Sequence, residues 1–201
     1  LFRQDAVEMT AHYLGIRMNE AILAALEALD EQDMENTEKC MEYFRKYALR
    51  ADSFLEGHPT WRLSRWLSFA RSHGTSPEEK NKYEQNARRL VTRWGPPVDD
   101  YAAKIWSGLI RDYYLPRWEH FIQSRLSEKN PDMGAWEEKW VRSTGVSAAH
   151  APGDLVNACR QAIREAPPLP SSLKRKAAGS IIGNWTSATV STEWSLSLIH
   201  I

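Results

Sequence analysis

Apolar residues recur every three or four positions from the start of the chain. Val7, Tyr13 or Leu14, Met18, Ile22, Ala25 and Leu29 make one stripe, and the spacing predicts a long helix over 2–29. Only Gly15 interrupts it. An acidic break follows at Asp30-Glu31-Gln32-Asp33. A second stripe uses Met41, Phe44, Ala48, Ala51 and Leu55 and closes at Gly57, with Pro59 just beyond. Two long helices joined by a short loop pack antiparallel.

A shorter helix fits 60–72, with Leu63, Trp66, Leu67 and Ala70 inward and Gly74 as its stop. Ser76-Pro77-Glu78-Glu79 is a strong helix start, with a Ser cap, Pro at the first position and Glu three residues after the cap. That helix carries Tyr83, Ala87, Leu90 or Val91, and Trp94, and Gly95-Pro96-Pro97 ends it. Asp99 or Asp100 caps the next. Its stripe is Ala102, Ile105 or Trp106, Leu109, Tyr113, Trp118, Phe121 and Ile122, with a kink expected at Pro116.

The pattern then weakens. Pro131-Asp132 starts a short helix with Trp136 and Trp140, and Gly153-Asp154 starts another with Leu155, Val156, Cys159 and Ile163. Pro167, Pro168 and Pro170 end it. No alternating strand pattern and no internal repeat stands out. The fold class is all-α: one bundle-like domain of six or seven helices over 1–170, with 171–201 as loop or disordered tail. Leu196 to Ile201 match what a sequencing adapter encodes in one reading frame, and are set aside as an artefact. The chain opens Leu1-Phe2-Arg3, without Met or a signal-peptide pattern, and reads as a piece of a longer protein.

With 201 residues there is enough chain for one sizeable core. Lys plus Arg and Asp plus Glu are both 26, so the balanced charge makes no case for nucleic acid or an anionic membrane as partner. No apolar run reaches the length of about 18 residues needed for a membrane span. Nine Trp exceed what a small bundle needs; each is either core or a contact surface, including carbohydrate stacking. Cys40 and Cys159 could pair or stay as two buried thiols. Asn184-Trp185-Thr186 is a glycosylation pattern, relevant only to a secreted eukaryotic protein.

Much chemistry is missing. There is no phosphate loop, no His-Glu-x-x-His helix, no Cys-x-x-Cys pair and no Glu-x-x-His of a bundle metal site, so no metal and no cofactor are expected. Glu8 and His12 share a helix face and read as ordinary surface support. Glycosidase carboxylates flank a bond at about 5 to 10 Å. Asp99 and Asp100, adjacent at a helix start, suit capping and the positive helix end instead, or the positioning of a ligand. Arg88, Arg89 and Arg93 read as a solvated face, except that Arg88, placed below Trp94, can form an Arg–Asp clamp across the corner.

At that corner a family resemblance becomes visible. The runs Tyr83-Glu84-Gln85-Asn86-Ala87-Arg88, Thr92-Arg93-Trp94-Gly95-Pro96, Asp100-Tyr101-Ala102-Ala103-Lys104-Ile105-Trp106-Ser107-Gly108-Leu109 and Tyr113-Tyr114-Leu115-Pro116-Arg117-Trp118 carry it. So do Trp66-Leu67-Ser68-Phe69-Ala70-Arg71 and Asp5-Ala6-Val7-Glu8-Met9-Thr10. Together they resemble the C-terminal helical domain of the α-N-acetylglucosaminidases, the family 89 glycoside hydrolases. The likeness is dense from about 2 to 127. From 128 to 166 it is mainly length and helical pattern.

The resemblance implies a retaining exo-enzyme removing terminal α-linked N-acetylglucosamine, for example from heparan sulfate, in a secreted or lysosome-like setting. It implies a (β/α)8 barrel with two catalytic Glu, outside this chain, on which the helical domain packs while helping to wall the pocket. No catalytic residue is carried over, and the fragment alone should be inactive. Cut from that barrel, the domain is expected to expose a Trp-rich face near Trp94 and Trp106. Tyr101, Trp94, Asp100 and Arg88 are the residues expected to face pocket or barrel. The chain departs from the family pattern at the short Pro97-Val98 turn, at Arg93 where an apolar residue is usual, and at Ala11 where Arg is expected. The alternatives are a non-catalytic carbohydrate-binding or protein-interaction module and a purely structural helical domain.

Overall fold

The computed structural model describes residues 2–93, 104–147 and 153–173. Among these residues there are seven α-helices and no extended sheet: α1 (Phe2–Asp30), α2 (Met34–Leu55), α3 (Leu63–Ser72), α4 (Pro77–Leu90), α5 (Leu115–Leu126), α6 (Met133–Val141) and α7 (Leu155–Glu165). The expected all-α, bundle-like class holds.

The caps explain the boundaries. Asp33 accepts the Asn36 amide at the start of α2, Ser76 accepts the Glu79 amide at the start of α4, Asp132 caps α6 and Asp154 caps α7. Glu79 returns the favour in α4 by accepting from the Thr75 amide and hydroxyl. Gln32, at φ 59°, turns the chain between α1 and α2.

One face each of α1 and α2 supplies about half of the core: Val7, Leu14, Met18 and Ile22 from one, Phe44, Tyr47, Ala48, Ala51 and Leu55 from the other. Burying each of the larger side chains contributes about 1.5 to 3 kcal/mol. Tyr113 and Trp118 extend this core towards α6. After α7 the proline-rich segment crosses the two long helices. The Tyr13 hydroxyl donates to the Ala166 carbonyl at 2.7 Å, and the Tyr47 hydroxyl to the Pro167 carbonyl at 2.6 Å. Tyr13 lies in the first half of α1 and Tyr47 in the second half of α2, as an antiparallel pair requires.

Three expectations change. Helix α4 stops at Leu90 rather than reaching Trp94, because Val91 and Thr92 donate to carbonyls three residues back and tighten the last turn. The helix expected to run through Ile105 and Trp106 is absent there: Lys104, Ile105 and Trp106 are non-helical, and Ser107 pairs alongside Arg62. Tertiary bonds outweigh the helical spacing here. Ser107 donates its amide to Trp61 at 2.7 Å and its hydroxyl to Glu56 at 2.6 Å, while its carbonyl accepts from Leu63 at 2.9 Å. Pro116 is accommodated by a π-helical turn over Ile110–Tyr114, in which the Leu115 amide donates to Ile110 five residues back. Proline has no amide to continue the regular ladder, and the widened turn takes up the mismatch.

The tryptophans also settle differently. None of the six described is exposed: Trp118 and Trp140 are buried, and Trp61, Trp66, Trp106 and Trp136 are partly so. Trp106 packs on Trp66 with ring centroids 6.1 Å apart instead of forming an exposed face. Cys40 and Cys159 are both free thiols, and burial pushes the Cys40 thiol up to about 11.

Candidate functional site

The corner between α4 and the segment entering the π-helical turn is the region singled out by sequence. Trp94, Asp99, Asp100 and Tyr101 lie outside the described residues. Its two flanks and Arg88 lie within them.

On the incoming side, α4 presents Glu84 and Arg88 one turn apart, the (i, i+4) spacing that brings two side chains together on a helix. Arg88 is fully buried. Its Nε and Nη2 donate to Glu84 Oε1 at 3.2 and 3.0 Å, and Nη2 also donates to the Gly145 carbonyl. The Gly145 amide donates back to Glu84 Oε1 at 3.2 Å, and Arg71 Nη1 donates to Oε2 at 2.7 Å. The guanidinium lies over the Trp140 ring, 4.6 Å from its centroid. Burial works to raise the Glu84 carboxyl, but the Arg88 and Arg71 hydrogen bonds outweigh it and hold it below the usual carboxylate range. The Arg88 clamp foreseen with the corner acids is therefore built, in the described residues, on Glu84 and Gly145. It joins α3, α4, α6 and the loop after α6.

Further contacts fix the end of α4. Trp66 Nε1 donates to the Ala87 carbonyl at 2.9 Å, Arg89 pairs with Glu138 at 2.9 Å, and Arg93 donates to the Gly134 carbonyl at 3.2 Å. Thus Arg93 is tied to the start of α6.

On the outgoing side the anchor is Asp52, completely buried in α2. Its Oδ1 accepts the Gly108 amide at 2.6 Å and the Arg111 amide at 3.3 Å, and Oδ2 meets Arg111 Nη2 at 2.8 Å. Burial raises the Asp52 carboxyl; the Gly108 amide and Arg111 offset this only in part. Gly108 sits at φ +83°, and a Cβ there would lie 2.5 Å from Val146 Cγ1, so both backbone and space require glycine. The Lys104 amide donates to the Tyr114 hydroxyl at 3.3 Å.

Of the predicted site residues, the structure therefore places Arg88 alone, inside a buried ion-pair network. Glu84, Asp52 and Gly145 were not singled out from sequence. The (i, i+4) Glu84–Arg88 spacing was a readable signal; the Asp52–Gly108 contact, across 56 positions, was not. Among the described residues no group of three or more His, Cys, Asp or Glu could hold a metal ion. Glu8 and His12 are both exposed on α1.

A family model described as the α-N-acetylglucosaminidase C-terminal domain matches residues 1–165. The chain belongs to this family. Human α-N-acetylglucosaminidase is 40% identical over 75 residues, which cover 36% of this chain and 10% of that protein. Two structures of a family 89 glycoside hydrolase from Clostridium perfringens share the fold of this α-N-acetylglucosaminidase C-terminal domain. They are complexes with PUGNAc and with 2-acetamido-1,2-dideoxynojirmycin; each has TM-score 0.71 and 24% identity, and the match covers 82% of this chain and 21% of the bacterial one. The chain thus spans about a fifth or less of the length of these relatives.

Proposed function

We propose that this chain is the helical C-terminal part of an exo-acting α-N-acetylglucosaminidase. In this reading it packs on a (β/α)8 barrel outside the chain and helps wall the pocket for a terminal α-linked N-acetylglucosamine, such as one on heparan sulfate. The two carboxylates of a glycosidase reside in the barrel, and this chain supplies none. The family match over 1–165 carries the proposal. The architecture supports it: both flanks of the corner are pinned by buried, multiply bonded carboxylates, Glu84 before it and Asp52 after it. Such bracing suits a segment whose shape must be fixed before it meets a ligand or a neighbouring domain, since less ordering entropy is then lost on contact.

In this proposal Trp94, Asp100 and Tyr101 face the pocket or the barrel, while Arg88 acts from the interior through Glu84 and Gly145. The enzyme works in a lysosome-like or secreted setting. No described helix is long and apolar enough to cross a membrane.

The test uses an aryl α-N-acetylglucosaminide as reporter substrate. The longer protein encoded with this domain should hydrolyse it, and the 201-residue chain should not. Turnover by the purified chain alone, or none by the longer protein, overturns the proposal.

A further inference from the structure

A groove of about 590 Å³ opens between α3, α4 and the loop after α6. Ser64, Ser68 and Arg71 line it from α3 at helical spacing, with Asn81 opposite on α4 and Thr144 on the loop. Leu67 and Val146 supply the apolar part of the wall. The volume is in the range of small-molecule sites. Gly145 borders it, and a Cβ built there would meet nothing within 4 Å, so the backbone at that point faces open space.

The lining is rich in hydrogen-bond donors. Glu84 is the groove's only carboxylate, and its two oxygens already accept from Arg88, Gly145 and Arg71. Asn81 spends its carbonyl oxygen on Arg71 at 3.0 Å, which leaves its amide NH2 as the outward function. Arg71 uses one terminal nitrogen for both of those bonds, and its side chain remains 37% exposed, with further N–H groups to offer. The hydroxyls of Ser64, Ser68 and Thr144 can all donate. Arg88, buried behind the groove, and Arg71 at its wall share the single carboxylate of Glu84, so this network carries a net positive charge. The hydroxyls can accept as well as donate, so they serve a neutral polyol too; the positive charge and the Arg71 and Asn81 N–H groups are what favour an oxyanion.

We propose that this groove binds a carboxylate or sulfate ester group on a small ligand such as an acidic sugar. Arg71 and the Asn81 amide hold the charged oxygens, Ser68 and Thr144 add hydroxyl donors, and Leu67 and Val146 take the ligand's apolar edge. The inference rests on the groove alone and does not depend on the pocket assignment above.

The 201-residue chain, 15N-labelled, is titrated with glucuronate, glucose 6-sulfate and, as the uncharged control, glucose. The backbone amides of Ser68 and Gly145 and the side-chain amide of Asn81 are followed by NMR. One or both charged sugars should shift these resonances saturably, at least about tenfold more tightly than glucose, as expected for charge-assisted bonds. Whichever charged sugar binds more tightly identifies the oxyanion. Ser68→Ala and Asn81→Ala, both at exposed positions, should each weaken that binding about fivefold or more with melting temperatures near the parent's. Arg71→Gln should abolish it, but this variant also loosens Glu84, so the two exposed variants carry the decision. No saturation by either charged sugar up to about tenfold above the millimolar range of a weak site, equal binding of glucose, or parent-like affinity in both exposed variants overturns the inference.

Discussion

The Arg88 guanidinium lies over the Trp140 ring, 4.6 Å from its centroid, while sharing Glu84 with Arg71. A buried cation is thus compensated on two sides, by a carboxylate in its own helix and by an aromatic face from α6. Cation–π contact is worth more when both groups are shielded from water. It also makes Arg irreplaceable by Lys here, because the planar fork serves Glu84 and Gly145 together.

Removing one partner of this pair should be costly, because the other charge stays buried. Glu84→Gln should destabilise the chain by about 3 kcal/mol at pH 7, read by urea denaturation. The Glu84 carboxyl is held low in the folded state, so its contribution is present above the unfolded value of 4.5 and is lost as pH falls through the folded one. The gap between parent and variant should therefore narrow on acidification below pH 4.5. A constant gap from pH 7 to pH 3 would argue against ionic pairing.

Asp52 should show the opposite sign. Its carboxyl is raised by burial above 3.8, so the folded chain binds this proton more tightly than the unfolded chain. Its contribution is largest below 3.8 and declines as pH rises through the raised value. The stability of the parent relative to Asp52→Asn should then grow as pH falls from 7 towards 4. Thermal melts at several pH values test it, and a difference that shrinks on acidification contradicts the assignment.

Gly108→Ala should cost roughly 2 kcal/mol or more. The residue would hold a positive φ while its Cβ pressed on Val146. Gly153→Ala, where a Cβ meets nothing within 4 Å and no positive φ is involved, is the matched control and should be nearly neutral. Comparable losses in the two variants would remove the special role given to the Asp52–Gly108 contact.

Tyr101 tests the pocket proposal in the longer enzyme. If its hydroxyl bonds to substrate, Tyr101→Phe should leave the melting temperature near the parent's and lower kcat/KM about tenfold, the equivalent of about 1.4 kcal/mol. If the ring only packs, Tyr101→Phe is mild in both assays and Tyr101→Ala costs about 3 kcal/mol of stability. A fully active and fully stable Tyr101→Ala enzyme excludes both roles.

Helix positions were readable wherever local chemistry set them. The apolar stripe from Val7 to Leu29 and the start at Ser76-Pro77 report themselves within a few residues. Ile105 and Trp106 were misread because their spacing fits a helix, whereas their backbone is committed by Ser107 to Trp61, Leu63 and Glu56. Those partners are 44 or more positions away and leave no local trace. Trp106 misled a second time: a missing barrel implied an exposed face there, but aromatic bodies bury well when a neighbour such as Trp66 offers a ring. At the site, Arg88 was recognised as a clamp residue, but Glu84 was not recognised as its partner, because acids nearer the corner competed for that role.

The two phenol bonds across the end of α7 set a condition on biosynthesis. Tyr13 leaves the ribosome more than 150 residues before Ala166, the group its hydroxyl bonds to, and Tyr47 precedes Pro167 by 120. The long N-terminal pair can collapse early, but both hydroxyls must wait in water until translation is almost through the domain. At about 5 to 20 residues per second, that delay is many seconds for Tyr13. A nascent chain halted before Ala166 therefore exposes the side of α1 and α2 that the proline segment later covers, and is the form in which chaperone capture should be strongest.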